Sequence, residues 1–431
     1  MKAMNNTTLV AKNTFWQILG RGVMLACSLT TAYFLTRLLG IEAWGNYIFI
    51  TNIVLIAFNL ADFGTGTITV RNLAQPKLKT SQQQAIFTQA LTLKLSFTLI
   101  ALLILAILIF SLNQFQDIRV LALLSSLAIV FLTFRTLAEA LFMAHLRFVA
   151  KVFFETLASI FSVGGVVLIS QTYYQITLGQ SLLVWGGGAA ISAFGALIFL
   201  KRKFSHIFTL NLGFEGTKEF LRQSVPVGIR QLVFALYDAG IDSFFLKTLV
   251  GSAAVGFYGL SYKIYTNLIL GAAFFMNSLF PIIIKKDHQN LTPTLKRGAI
   301  FLSISGLIIS LSVAALAPTI IKAISGEAFL PSIPVLRILM LALVFGYLNH
   351  LTGYTMIALK AEKQLLCLSL FALIINLAGN WLFIPVFGII GAAWVTVATE
   401  ASILITTSVF LAKRLQSISK GYENEKVKSL H

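Results

Sequence analysis

Two arginines stand inside long apolar stretches of this chain, Arg21 in NTFWQILGRGVMLACSL and Arg230 in SVPVGIRQLVFALYDAG. An ionised side chain at mid-bilayer costs at least about 2.5 kcal/mol on insertion scales, so each needs a partner, a water-filled cavity or an escape to the surface. A guanidinium presents planar paired donors that match phosphate oxygens, and it stays charged in any environment. The chemistry that suits such residues is capture and release of an anion, with phosphate the natural candidate. Carboxylates occur in the same kind of surroundings: Asp62 in one run, and Asp238 and Asp242 one helical turn apart in another. Two readings stand. In one, Arg21, Arg230 and Lys263 line a hydrophilic cavity with Gln17, Asn59 and Tyr262 and hold an anionic substrate group. In the other, the arginines pair with Asp62, Asp238 or Asp242 to hold helices together.

Other polar residues in apolar runs have plainer accounts. Arg135 and Glu139 are four apart, the spacing of a local ion pair. Lys94, Lys151 and Glu155 stand within a few turns of a membrane edge, where lysines reach the surface by snorkelling. Glu400, and His350 beside Asn349, are candidates for a titrating coupling site. Asn376 and Asn380 share a helical face and can bond across to a neighbouring helix. Tyr258, Tyr262 and Tyr265 either stack along a sugar path or simply pack.

These residues need helices to carry them. On a wheel of about 100° per residue, Asn13, Gln17, Arg21 and Ser28 fall within less than a right angle, and Asn52, Asn59, Asp62, Gly66 and Thr69 cluster similarly. Twelve apolar runs have the length of a membrane span: 13–38, 44–70, 85–112, 118–144, 149–170, 178–200, 221–246, 252–284, 298–321, 332–358, 364–386 and 389–411. The segment GIEAWGNY, Gly40 to Tyr47, recurs 211 positions later as GSAAVGFY, Gly251 to Tyr258, and Arg21 and Arg230 lie in near-register with that repeat. Parallel repeats of membrane-spanning halves are a signature of secondary transporters, so transport is the function predicted. The predicted fold is an all-α integral membrane protein of about 12 transmembrane helices, in two six-helix lobes related by a pseudo-two-fold axis along the membrane normal. The lobes are read as 1–200 and 225–412, joined by a cytoplasmic linker at 201–224 and followed by a tail at 413–431.

Composition agrees. The 431 residues are 57% hydrophobic and 11% charged, with a mean hydropathy of +0.86, whereas a soluble domain has a charged fraction of about 25%. The net charge of +18 would suit nucleic acid, but its placement argues against that partner. Arg37, Arg119, Lys247, Lys322 and Arg337 are the basic residues outside the spans on one side, and most of the 33 lysines and arginines fall on the other. The positive-inside rule then predicts that both termini are cytoplasmic. The first run is too long for a cleaved signal peptide. The two cysteines, Cys27 and Cys367, lie in apolar runs and are read as packing residues, so no metal or redox site is expected. No cofactor and no catalytic residues are predicted.

The stretch from Asn13 to Gln75 resembles the opening of the polysaccharide transporter family, the O-antigen flippases of bacterial inner membranes. Supporting pieces are Leu39-Gly40 with Gly45 and Tyr47, the LADFG turn at 60–64, Arg71 after span two, VGFYGLSYKI at 255–264 and FGIIGAAW at 387–394. The resemblance implies membership of the multidrug, oligosaccharidyl-lipid and polysaccharide exporter superfamily. The activity it implies is the flipping of undecaprenyl-pyrophosphate-linked oligosaccharide, an O-antigen or other lipopolysaccharide or surface-polysaccharide repeat unit, between leaflets by alternating access, as an antiporter coupled to H+ or Na+. Arg21 and Arg230 would meet the pyrophosphate or acidic sugars, and Asp62, Asp238 and Asp242 would compete for those arginines when substrate is absent. Membrane lipid and other polysaccharide-assembly proteins are the further partners implied. A multidrug exporter of the same superfamily is one alternative. A multispanning polysaccharide polymerase or ligase is another, although such an enzyme should carry a long extracytoplasmic loop rich in Arg or His.

Overall fold

The computed structural model describes residues 6–173, 175–285 and 288–428, and every regular element among them is helical. The chain forms two compact units, residues 1–243 and 244–431. The first holds α1 (Asn6–Asp62), α2 (Thr65–Leu73), α3 (Thr80–Ser111), α4 (Arg119–Ser126), α5 (Ala128–Ala144), α6 (Phe148–Tyr173), α7 (Leu178–Lys203) and α8 (Thr217–Ala235). A π-helical turn, Leu236–Gly240, leads from α8 into α9 (Ile241–Leu249), on which the first unit ends. The second unit holds α10 (Ser252–Lys285), α11 (His288–Ser325), α12 (Ser332–Ala358) and α13 (Glu362–Lys428).

Eight helical stretches among the described residues are long and apolar enough to cross a membrane. Two of them, Phe15–Asp62 and Glu362–Gln416, have 48 and 55 residues. At 1.5 Å per residue that is about 72 and about 82 Å, more than twice a hydrocarbon core of about 30 Å. Each bends at a glycine with non-helical backbone, Gly40 (φ 77°) and Gly388 (φ 54°), and so makes two passes. The runs read as spans seven and eight are helical too, as α8 with α9 and as α10, but are not among the eight. The molecule is a multi-pass membrane protein.

Inside hydrocarbon every polar group must be answered within the protein. Hydroxyls in these helices do so locally, donating to the carbonyl one turn back: Thr36 to Ala32 at 2.7 Å, Thr51 to Tyr47 at 2.8 Å, Thr355 to Leu351 at 2.7 Å. The repeated octapeptide marks two chain reversals. Its first glycine has positive φ in both copies, 77° at Gly40 and 119° at Gly251, a conformation that a side chain would strain. Its closing tyrosine is buried in both and stacks on a ring of its own helix, Tyr47 on Trp44 and Tyr258 on Tyr262.

The segment read as a linker is bolted down where it leaves α7. Its path runs along α3: Gln84 donates to the His206 carbonyl at 2.7 Å, Thr88 and Thr209 share a hydrogen bond at 3.1 Å, Gln89 donates to the Glu215 carbonyl at 3.0 Å, and the Gly213 amide donates to Thr92 at 3.1 Å. Phe204 and Ile207 are buried in one cluster with Phe87, Leu91 and Phe142. The chain therefore enters α8 from a defined direction rather than from a free loop. Cys367 is exposed, not packed as expected, and Cys27 is half-buried.

Helix pairs within the first unit approach through small residues, the packing that bilayers favour. A Cβ on Gly188 would stand 2.7 Å from the Ala158 carbonyl oxygen and 2.7 Å from Ser162 Oγ, so the glycine run at 186–188 serves close contact between α6 and α7. Ser192 reinforces that contact by donating to the Phe154 carbonyl at 2.6 Å. At Gly186 a Cβ would meet nothing within 4 Å. Gly188→Ala is expected to destabilise the protein by about 1–3 kcal/mol and to lower its thermal unfolding midpoint in detergent. Gly186→Ala should leave that midpoint unchanged, which a dye-based melting scan of both variants would check.

Candidate functional site

The second pass of α1 stops at Asp62, and the chain turns through two left-handed residues, Phe63 (φ 35°) and Gly64 (φ 76°), before α2 begins at Thr65. Broken helices tolerate exposed backbone at membrane depth only where protein or water covers it. Here protein covers it. A Cβ on Gly64 would lie 2.7 Å from both the Gly228 amide nitrogen and the Ser224 carbonyl oxygen, and one on Gly228 would lie 2.6 Å from the Phe63 ring. Gln231 accepts from the Gly64 amide at 2.9 Å, and Arg71 donates to Gln223 at 2.6 Å. Farther along, Asn52 donates to Ser243 at 2.9 Å. The helix break thus forms a close-packed seam with α8, which itself passes into a π-helical turn. Such turns occur frequently at functional sites.

Asp62 does not meet an arginine. Lys94, fully buried on α3, reaches it with Nζ and donates also to Thr136 on α5 at 3.1 Å. The expectation that Asp62 competes for Arg21 and Arg230 is therefore not met, and neither is the expectation that Lys94 snorkels. The physical reason is depth: α1 and α3 run antiparallel about the short turn at 74–79, which brings Lys94 opposite Asp62. Two further ion pairs of this unit form within one helix, Arg135 with Glu139 at 3.1 Å, as the spacing predicts, and Lys151 with Glu155 at 2.7 Å.

Arg21 and Arg230 are both exposed, and neither has a hydrogen bond or ion pair with any described residue. Gln17, one turn before Arg21, is exposed and donates to the Asn13 carbonyl at 3.2 Å. Asn59 is half-buried and donates to the Leu55 carbonyl at 2.8 Å. Asp242 is buried and engaged by a neighbour. It follows the π-helical turn that carries residue 238, so Asp238 and Asp242 are separated by a wider turn than the α-helical one expected. The side chain of Asp238 lies outside the described residues.

In the second unit Tyr262 is 7% exposed, stacked on Tyr258 at 5.5 Å and tilted against Tyr265 at 5.3 Å. It is packed rather than open to a sugar path. Lys263, beside it, is half-buried and engaged. Among the described residues Glu400 is held by neutral donors: Tyr265 Oη at 3.2 Å and Asn349 Nδ2 at 2.6 Å, with Asn349 also reaching the Glu400 carbonyl at 2.9 Å. The Asn349 Oδ1 atom is buried without a hydrogen bond. Below this group Tyr258 shares a hydrogen bond with Thr396 at 2.8 Å, and Asn380 donates to Asn376 at 3.1 Å, which donates to Thr399 at 3.5 Å. His350 makes a ring contact with Tyr354 and no hydrogen bond among the described residues.

The sequence reading missed Lys94 as the partner of Asp62 and Tyr265 as a partner of Glu400. The first was recoverable, because two spans joined by a short loop bring residues equally far from the loop to one depth. Nothing in the sequence alone pairs α10 with α13.

The fold has counterparts among solved membrane-protein structures. It is similar to that of the lipid II flippase MurJ in an inward closed conformation, with a TM-score of 0.76 and 14% identity, covering 95% of this chain and 90% of that one. It is similar also to an inward-facing multidrug resistance MATE family transporter of the MOP superfamily, with a TM-score of 0.72 and 14% identity, covering 92% of this chain and 96% of that one. A family model described as polysaccharide biosynthesis protein matches residues 10–286, and the chain belongs to that family. A curated relative, an uncharacterized membrane protein of Methanocaldococcus jannaschii, is 24% identical over 269 residues, which span 59% of this chain and only 59% of the relative's length.

Removing one partner of a buried pair leaves the other charge unanswered and costs about 3–5 kcal/mol. Lys94→Ala is therefore expected to reduce folded protein in the membrane sharply. Lys94→Met combined with Asp62→Leu should recover most of it, as read by fluorescence-detected size-exclusion chromatography.

Proposed function

We propose that this protein flips an undecaprenyl-pyrophosphate-linked oligosaccharide between leaflets of a bacterial inner membrane by alternating access, with both termini in the cytoplasm. The observation that carries the reading is the state of Arg21 and Arg230. Buried Lys94 and half-buried Arg135 and Lys151 each hold a carboxylate, whereas these two guanidiniums are exposed and unpaired among the described residues. Cations left open on apolar helices suit an anionic ligand, and a paired-donor group suits a pyrophosphate. They disfavour the cationic drugs of a multidrug exporter. Gln17 and Asn59 would add hydrogen bonds to the headgroup. The lipid tail would remain in the bilayer while pyrophosphate and glycan cross, a step that breaks no covalent bond and uses no enzymatic group.

The driving force in this reading is a cation gradient, with H+ or Na+ exchanged against substrate. Glu400 is the coupling carboxylate best supported by its surroundings, because among the described residues it is held by the neutral Tyr265 and Asn349, which leaves its charge for a bound cation. Asp62 is unsuited, since Lys94 already neutralises it. The seam of Gly64 on Gly228 is the closed contact that parts when the first unit changes state.

Reconstitution into liposomes with a fluorescent undecaprenyl-pyrophosphate oligosaccharide tests this directly. Wild type should exchange the lipid between leaflets, and Arg21→Ala with Arg230→Ala should lower the rate at least tenfold while leaving the melting temperature within a degree or two. Normal exchange by the double variant would sink the assigned role of the arginines. Glu400→Gln is expected to keep its hydrogen bonds and its fold, and to exchange at a rate no longer raised by an imposed proton or sodium gradient. Gradient stimulation equal to wild type would remove Glu400 from the coupling step.

A further inference from the structure

In the second unit, the turn between α12 and α13 and the basic turn of α13 at Lys413 and Arg414 enclose a cavity of about 330 Å³, lined by Lys360, Ala361, Gln364, Phe410, Lys413 and Arg414. We propose that this cavity binds the phosphate headgroup of an anionic glycerophospholipid, a site separate from the candidate transport residues and independent of the transport reading.

Three observations carry it. First, three of the six lining residues are cations and none is acidic. Lys360 and Lys413 are exposed and hold no carboxylate among the described residues. Second, the turn holds them in place. Lys360 adopts φ 55°, a left-handed conformation that a lysine enters only at some cost, and its amide donates to the Ile357 carbonyl at 3.0 Å, closing the end of α12. Beneath the cations lies an apolar floor in which Ala361, Met356 and Leu411 are buried together, with Phe410 and Leu365 packed against them.

Third, apolar tracks lead away from the lining on both helical passes. Ile405 and Val409 are exposed and precede Lys413 at steps of four, which places all three within about 80° of one face. On the first pass of α13, Cys367, Phe371 and Ile374 are exposed and follow Gln364 within a similar arc of about 80°. A free phosphate would use the cations alone. A phospholipid would use the cations for its headgroup and the exposed tracks for its acyl chains, and basic pockets between helices at a membrane surface take such headgroups.

Each cation near an anionic surface contributes about 1 kcal/mol, or about fivefold in affinity. The test is native mass spectrometry of the delipidated full-length protein, titrated with phosphatidylglycerol, with phosphatidylethanolamine and with inorganic phosphate as competitor. Wild type is expected to retain phosphatidylglycerol over phosphatidylethanolamine. Lys360→Gln with Lys413→Gln and Arg414→Gln should weaken that retention on the order of a hundredfold, whereas Lys201→Gln with Arg202→Gln and Lys203→Gln, which removes as many cations elsewhere, should not. Lys413→Gln alone, expected to cost about fivefold, serves if the triple variant does not fold. Equal loss in both triple variants, or no preference between the two lipids, would overturn the proposal in favour of diffuse attraction. Full displacement by millimolar inorganic phosphate would overturn it in favour of a simple anion site.

Discussion

A charge within hydrocarbon must be answered by another group, and the Lys94 and Asp62 pair is where this chain meets that constraint most severely. Lys94 is wholly buried, so its ammonium has no route to water, and Asp62 with Thr136 provides its contacts. The pair ties α3 and α5 to the point where α1 ends. That point is where the backbone turns through Phe63 and Gly64, and the turn in turn sets the register in which α8 lies against the break. Remove the pair and the break loses the anchor that lets two left-handed residues persist inside a membrane protein.

Polar residues in the molecule fall into three physical situations. Most are spent on structure, as ion pairs or as hydroxyls bonded one turn back along their own helix. A second group forms hydrogen-bonded networks in the second unit, where Tyr265 and Asn349 donate to Glu400 and no cation joins them among the described residues. A third group is unanswered among the described residues, and Arg21 and Arg230 belong to it. Folding explains the first group. The second leaves a carboxylate able to accept a cation, and the third leaves cations able to accept an anion. Those are the complementary properties required of a carrier that exchanges one for the other, on a fold shared with proteins named as flippase and multidrug transporters.

Much of this was legible in the sequence. Helix-length apolar runs marked the passes, and the repeated octapeptide fell between runs where the structure places two reversals, at Gly40 and Gly251. The Arg135 and Glu139 pair followed from spacing, and the shared face of Asn376 and Asn380 pointed to a bond with a neighbouring pass, which Asn376 makes to Thr399. What escaped was of two kinds. The π-helical turn at Leu236–Gly240 depends on what packs against it, and an apolar run looks continuous through it, whereas the turn in LADFG is legible in its residues although the run at 44–70 reads as one span. Partnerships across helices distant in sequence, such as Tyr265 with Glu400, depend on helix order. The segment read as a linker misled for a third reason: its polar composition describes its solvent face, whereas Phe204 and Ile207 decide where it docks.

The central claim is that Arg21 and Arg230 are held in reserve for an anionic headgroup rather than used in folding. Calorimetric titration of the detergent-solubilised protein with a short-chain polyprenyl pyrophosphate, at two salt concentrations, tests it most directly. The account predicts saturable binding that weakens as salt rises and that falls at least tenfold in Arg21→Ala with Arg230→Ala. Binding of equal strength in wild type and double variant would contradict it.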